Sequence, residues 1–322
     1  MLIVDAHEDL AWNALSFGRD YRQSALVTRR READSEILAH NGVTLLGWTE
    51  WLLGRVAVIF ATLFAAPARR KLGEWDRQCY RDTAEAARLY SAQLDYYHRL
   101  EDGGRFALIR ARKDLAGVLN GWQGELDGRQ IGLAILMEGA EAIGDPGEVE
   151  LWHARGVRLI GPAWAGTRFC GGTGEPGPLT PAGHALLEVM AAYGLILDLS
   201  HMAEESFLQA VDRYPGVIVA THANARALLR NPARPDRHLS DEMIRLLAER
   251  GGVIGVVPFN RFLRGEWTIS DGKSAVPLAA VIAQIDHICQ ITGSAAHVGI
   301  GSDFDGGFGR ESVPAEIDTV AD

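Results

Sequence analysis

Two short apolar runs, Leu-Ile-Leu-Asp-Leu at 195–199 and Val-Ile-Val-Ala at 217–220, each lead into a histidine, His201 and His222. Between them Glu204 to Tyr214 carries a helical pattern, the spacing of one strand–helix–strand unit with parallel strands. Six more runs of this kind begin at Met1, Arg55, Ile131, Val157, Val253 and Val298. Helical patterns separate them at Asp76–Leu100, Lys113–Asn120 and Pro277–Ile291, in a stretch opened by Thr180-Pro181 and stopped by Gly194, and in one capped by Ser240. A short extra strand is expected at Phe106–Ile109, and Trp12–Gly54 reads as a long irregular insertion after the first strand. Eight apolar strands alternating with helices predict an α/β chain folded as one (β/α)8 barrel of the TIM type over residues 1–322. An open doubly wound sheet is the alternative, but no Gly-x-Gly-x-x-Gly follows the first strand.

Composition adds limits rather than a function. An apolar fraction of 47% and a charged fraction of 23% suit a soluble globular protein with a sizeable core. The formal net charge of -10 argues against nucleic acid or an anionic membrane as partner. The basic clusters Arg29-Arg30-Arg31 and Arg69-Arg70-Lys71 read as solvated faces or loops. Cys79, Cys170 and Cys289 are odd in number and in no Cys-x-x-Cys spacing, so a disulfide framework is not expected and a reducing, cytoplasmic compartment is. The chain enters its first strand without the charged region of a signal peptide. Its most apolar segment, Leu52–Ala66, is short for a membrane span and contains Arg55.

In barrels of this kind chemistry sits at the C-terminal ends of the strands. Strand one ends in His7-Glu8-Asp9, where alternation puts His7 and Asp9 on one face. Strand three ends in Glu138, strand five in His201, strand six in His222 and strand eight in Asp303. Singly, each has an ordinary structural reading as a cap, a turn residue or a core hydrogen-bond partner. Together they put metal-ligand types from five strands at one rim, which points to a metal centre. Three histidines plus Asp9 and Glu138 exceed what one open tetrahedral zinc requires, so two metals are expected. A shared hydroxide would be the nucleophile, with Asp303 carrying its proton to a leaving amine. Asp5 and Asp198 read as buried hydrogen-bond partners, Cys170 as a loop residue, and His40, His98, His153, His184, His238, His287 and His297 as residues outside the site.

Five motifs carry a resemblance: Asp-Ala-His-Glu-Asp-Leu, Met-Glu-Gly, Leu-Asp-Leu-Ser-His-Met, Thr-His-Ala-Asn-Ala-Arg-Ala-Leu and Gly-Ile-Gly-Ser-Asp-Phe-Asp-Gly. Together, and in this order, the set resembles the membrane (renal) dipeptidase family of binuclear zinc peptidases, over essentially the whole chain. The resemblance implies an amidohydrolase-like (β/α)8 barrel with two zinc ions, acting on dipeptides and often tolerating a C-terminal D-residue. It implies one zinc at His7 and Asp9, the other at His201 and His222, and Glu138 as their bridge and a catalytic residue. Asp303 matches the family's acid/base aspartate. Arg237, ahead of Leu239-Ser240-Asp241-Glu242, matches the arginine that holds the substrate carboxylate, with Arg234 as a less favoured substitute.

Two features depart from the family pattern. Trp164 stands where the family commonly has a substrate-contacting histidine, and an indole N–H donates a hydrogen bond but cannot titrate. A metal amidohydrolase for a non-dipeptide amide or lactone is therefore an alternative, and a catalytically silent metal-binding barrel a further one. The chain also ends at Asp322, soon after strand eight, where the family continues through closing helices. Exposed apolar surface is expected at that seam. The loops bearing Trp12, Trp48 and Trp51 could line the pocket or form the interface of a homodimer.

Overall fold

Runs rich in Val, Ile, Leu and Ala form parallel strands when both faces are covered. All eight predicted runs do so in the computed structural model, which describes residues 1–125 and 128–322. They are β1 (Ile3–Glu8), β2 (Val56–Phe64), β3 (Ile131–Glu138), β4 (Val157–Gly161), β5 (Ile196–Asp198), β6 (Ile218–Val219), β7 (Ile254–Val256) and β8 (Val298–Ile300). They pair in parallel in the order β6-β5-β4-β3-β2-β1-β8-β7. A parallel bridge between Ala220 and Ile254 joins the two ends of that path. There Ala220 N donates to Val253 O at 3.0 Å and Gly255 N to Ala220 O at 2.8 Å. Glycine permits this approach, for a Cβ on Gly255 or Gly301 would lie 1.9 or 1.8 Å from Thr221 O. The sheet thus comes round as the expected (β/α)8 barrel, with Phe106–Leu108 as an extra strand on β3.

Alternation along β3 sorts the core. Leu133, Ile135 and Met137 join the large cluster under the outer helices, whereas Ala134 and Leu136 pack with Leu159, Phe60, Ile196 and Val219 in a smaller one. Glu138 shares the second register and ends it at the rim.

The irregular insertion expected at 12–54 is in fact helical. Leu10–Phe17, Ala25–Glu32, Ile37–Asn41 and Trp48–Gly54 are helices too short to show a clear apolar period. Ser24 caps the second, accepting from Leu26 N at 3.1 Å, and Glu50 of the fourth accepts from Ala25 N at 2.8 Å. The three tryptophans separate: Trp12 lines the cavity at the rim, while Trp48 and Trp51 pack edge-on against Phe106. The long helix expected from Asp76 starts instead at Thr83, where Asp82 accepts from Glu85 N at 2.9 Å. Before it, Cys79–Tyr80 pairs with Ala66–Pro67. Cys170 lies not in a loop but in a short strand, Cys170–Gly172, antiparallel to Glu175–Leu179.

After β8 the chain returns over the insertion: Arg310 N donates to Val43 O at 2.8 Å and Val320 N to Leu45 O at 3.1 Å. Val4 of β1 is 46% exposed, and the residues of β8 are half-buried. Among the described residues no helix is long and apolar enough to cross a membrane.

Candidate metal centre

The C-terminal strand ends bring His7, Asp9, Glu138, His201, His222 and Asp303 together, as their order along the barrel requires. Glu138 lies in the middle, and its two oxygens face different histidines. Oε2 is 3.6 Å from His7 Nε2, whereas Oε1 is 3.2 Å from His201 Nε2 and 3.3 Å from His222 Nε2. Asp9 Oδ1 and Asp303 Oδ1 each lie 3.9 Å from His7 Nε2. His7 stacks on His222 with ring centroids 3.6 Å apart. His201 and Asp303 both take left-handed backbone, at φ 63° and 56°, a region that histidine and aspartate enter more often than most non-glycine residues.

The donor set fits cations. His7 Nε2 is buried without a hydrogen-bond partner, which is costly for a polar atom unless a ligand occupies it. The Nε2 atoms of His201 and His222 lie 2.9 Å apart and converge on one carboxylate oxygen. Donors 2.0–2.1 Å from a tetrahedral ion are about 3.3 Å from one another, close to the Glu138 distances.

Outer partners fix the rings. Asp198 Oδ1 accepts from Ser200 N at 3.0 Å and Thr221 N at 2.9 Å, and its Oδ2 accepts from Thr221 Oγ1 at 2.7 Å. Having given its one proton to Asp198, the Thr221 hydroxyl accepts from His222 Nδ1 at 2.9 Å. That tautomer leaves His222 Nε2 as a lone pair facing the centre. Thr173 Oγ1 similarly meets His201 Nδ1 at 3.0 Å, and Thr62 Oγ1 donates to Asp9. Asp5 Oδ1 accepts from His7 N at 3.2 Å and Ser302 N at 2.7 Å, tying the end of β1 to that of β8. Asp5 and Asp198 are thus the buried hydrogen-bond partners expected of them. The threonines were missed; only Thr221, next to a strand-end histidine, gave any sequence signal.

Burial is the largest influence on how these side chains hold protons. It pushes the Glu138 carboxyl up to about 8, opposed by Arg237, and the Asp9 carboxyl up to about 6, with Glu138 adding to the rise. It raises Asp303 well above the carboxylate range and drives His201 and His222 well below the usual histidine value. Neutral imidazoles are the form that binds metal, and a cation would reverse the carboxylate shifts.

The centre forms the floor of a cavity of about 360 Å³. One wall is aromatic: Phe64 sits between Trp12 and Trp164, with ring centroids 6.5 and 5.1 Å away, and Trp164 is 6.1 Å from His201. The other carries Arg237, buried, with its guanidinium 5.2 Å over the Phe262 ring and Nη2 donating to His222 O at 2.8 Å. Its Nη1 has no partner. Arg234, the substitute, is exposed at the mouth.

Two residues set aside in the sequence belong to this cavity. His238 is buried beside Arg237, and burial holds its imidazole down to about 3. Arg70 lines the mouth while pairing with Glu175 at 3.0 Å, so its cluster is not merely a solvated face. Cys170 is inert: burial pushes its thiol up to about 12.

Below the rim, the carboxylate of Asp305 holds the β8 loop to the insertion. It forms an ion pair with Arg19 Nη1 at 3.0 Å and accepts from Tyr21 Oη at 2.9 Å, Thr44 Oγ1 at 2.5 Å and Leu45 N at 2.9 Å. Its backbone carbonyl accepts from Asn13 and Asn41, each at 2.9 Å.

Comparison with known proteins agrees with the architecture. Residues 1–320 match the family described as membrane dipeptidase (peptidase family M19). An uncharacterized protein in the pqqA 5′ region of Klebsiella pneumoniae is 38% identical over 197 residues, 58% of this chain and 68% of that protein. The chain spans less than half the length of two further curated relatives. Among solved structures, dipeptidase AC, a metallopeptidase of family M19, superimposes with a TM-score of 0.76 at 25% identity, covering 100% of this chain and 88% of that one. A metallopeptidase from Rhodobacter sphaeroides, liganded with a phosphinate mimic of the dipeptide L-Ala-D-Ala, gives 0.75 at 24% identity, covering 100% and 90%.

Proposed function

The chain belongs to the membrane dipeptidase family, the metallo-dipeptidases of peptidase family M19, and on that footing we propose that it is a two-zinc dipeptidase that hydrolyses the peptide bond of small dipeptides, including ones with a C-terminal D-residue. The observation that carries the two-metal reading is the split of Glu138, one oxygen toward His7 and the other toward His201 and His222. His7 and Asp9 would hold one ion and His201 and His222 the other, with Glu138 placed to offer one oxygen to each. Zinc bound there would supply Lewis acidity, acidifying a shared water and polarising the scissile carbonyl.

The remaining steps belong to side chains. Asp303 takes the proton of the attacking water and passes it to the leaving amine nitrogen. The free Nη1 of Arg237 receives the substrate carboxylate, which would satisfy an otherwise orphaned buried donor. The L-Ala-D-Ala mimic bound by the Rhodobacter relative supports including D-residues. The three free cysteines support a reducing, cytoplasmic compartment.

Trp164 favours a second reading, an amide or lactone other than a dipeptide, because it presents an apolar ring beside His201. A panel of L-L and L-D dipeptides, with a lactone and a non-peptide amide as controls, separates the two. Zinc-loaded protein is expected to cleave dipeptides and to lose that activity on chelation. Cleavage of the controls alone, or activity indifferent to chelation, would contradict the dipeptidase reading.

A further inference from the structure

Asp76 is a buried charge that nothing so far employs. It is 3% exposed and lines the same cavity as the metal-binding side chains. Its Oδ2 accepts a hydrogen bond from Leu72 N at 3.3 Å, and its Oδ1 has no partner. The nearby cations are committed elsewhere, Arg70 to Glu175 at 3.0 Å and Lys71 to Glu74 at 3.1 Å. Among the described residues Asp76 makes no ion pair. A carboxylate buried without a counter-charge is costly, and such groups in clefts are retained where a ligand completes them.

Position says which ligand. Asp76 lies in the segment after β2, and Arg237 in the segment after β6. In the order β6-β5-β4-β3-β2-β1-β8-β7 these strands are four places apart, on opposite sides of the barrel. The cavity therefore has a free guanidinium N–H on one side, a free carboxylate oxygen on the other, and the metal-ligand cluster between them. The other acidic residues lining it, Asp9, Glu138 and Asp303, are already assigned to the metals or to proton transfer. Trp12, Phe64 and Leu72 also line the cavity, along the wall that Asp76 shares.

We propose that Asp76 is the binding residue for the α-ammonium group of the substrate. With Arg237 on the carboxylate, the pair selects free dipeptides and rejects N-acylated ones. The assignment rests on the dipeptidase reading and sharpens its substrate class to unblocked zwitterions.

The test compares L-Ala-L-Ala with N-formyl-L-Ala-L-Ala on zinc-loaded wild type and on Asp76→Asn, an isosteric change that removes the charge. Wild type is expected to favour the free dipeptide at least tenfold in kcat/KM. Asp76→Asn should raise KM for the free dipeptide about tenfold or more, with little change in kcat, and leave the N-formyl compound unaffected. The preference would then largely vanish. An equal loss on both compounds would make Asp76 structural and overturn the assignment, as would a wild type that cleaves both equally well. Either result leaves the dipeptidase reading standing. A metal-loaded protein that cleaves neither compound contradicts that reading and this assignment together.

Discussion

Asp303→Asn is expected to lower kcat by about 10²–10⁴-fold, the usual contribution of a positioned acid–base group, while KM changes little. The amide keeps the shape and neutral hydrogen bonding of the side chain but cannot carry a proton between water and a leaving nitrogen. The position is constrained: Asp303 N donates to His7 O at 3.1 Å, and Asp303 O accepts from Gly306 N at 2.9 Å. Oδ1 lies 3.9 Å from His7 Nε2, so a changed ligand set is the competing explanation. Metal content measured on the variant separates the two. Retention of both metals with lost turnover supports the proton-transfer role, whereas near wild-type turnover would remove Asp303 from the mechanism.

The largest effect on stability is expected at Arg19. Its guanidinium is buried, forks onto Glu32 with both bonds at 3.0 Å, meets Asp305 at 3.0 Å and donates to Gly42 O at 2.8 Å. Arg19→Ala would leave two buried carboxylates without their cation, a change that costs about 3–5 kcal/mol when one partner of a buried pair is removed. Asp305 is two residues from Asp303, and both sit in left-handed backbone at φ 64° and 56°. A loosened Asp305 should therefore also lower turnover through the β8 loop. Denaturant unfolding of the variant measures the first effect; a loss under about 1 kcal/mol would mean that the pair is not a structural clamp.

The barrel was legible because its strands are nearly continuous apolar runs, five of which lead into a metal-ligand type of residue. Burial on both faces of a parallel sheet imposes that pattern. The same logic picked out His7, Asp9, Glu138, His201, His222 and Asp303, which fall at strand ends and meet at one rim. The insertion was not legible. Its helices are short, and they are held by distant polar contacts such as Ser24 Oγ to Glu50 at 2.6 Å and Arg29 to Asp318 at 2.9 Å. Nor were most of the groups that tune the site: Thr62 and Thr173 act through hydroxyls whose partners, Asp9 and His201, lie on other strands or loops. His238 and Asp76 belong to segments whose course over the cavity follows from tertiary packing. A local pattern shows which face a residue takes, but not which distant loop covers it.

The central claim is that one carboxylate, Glu138, joins two metal sites. The most direct test is anomalous diffraction from crystals of the zinc-loaded protein. The account predicts two peaks about 3.5–4 Å apart, one beside His7 and Asp9 and the other beside His201 and His222, with Glu138 touching both. A single peak, or zinc bound away from Glu138, would contradict it.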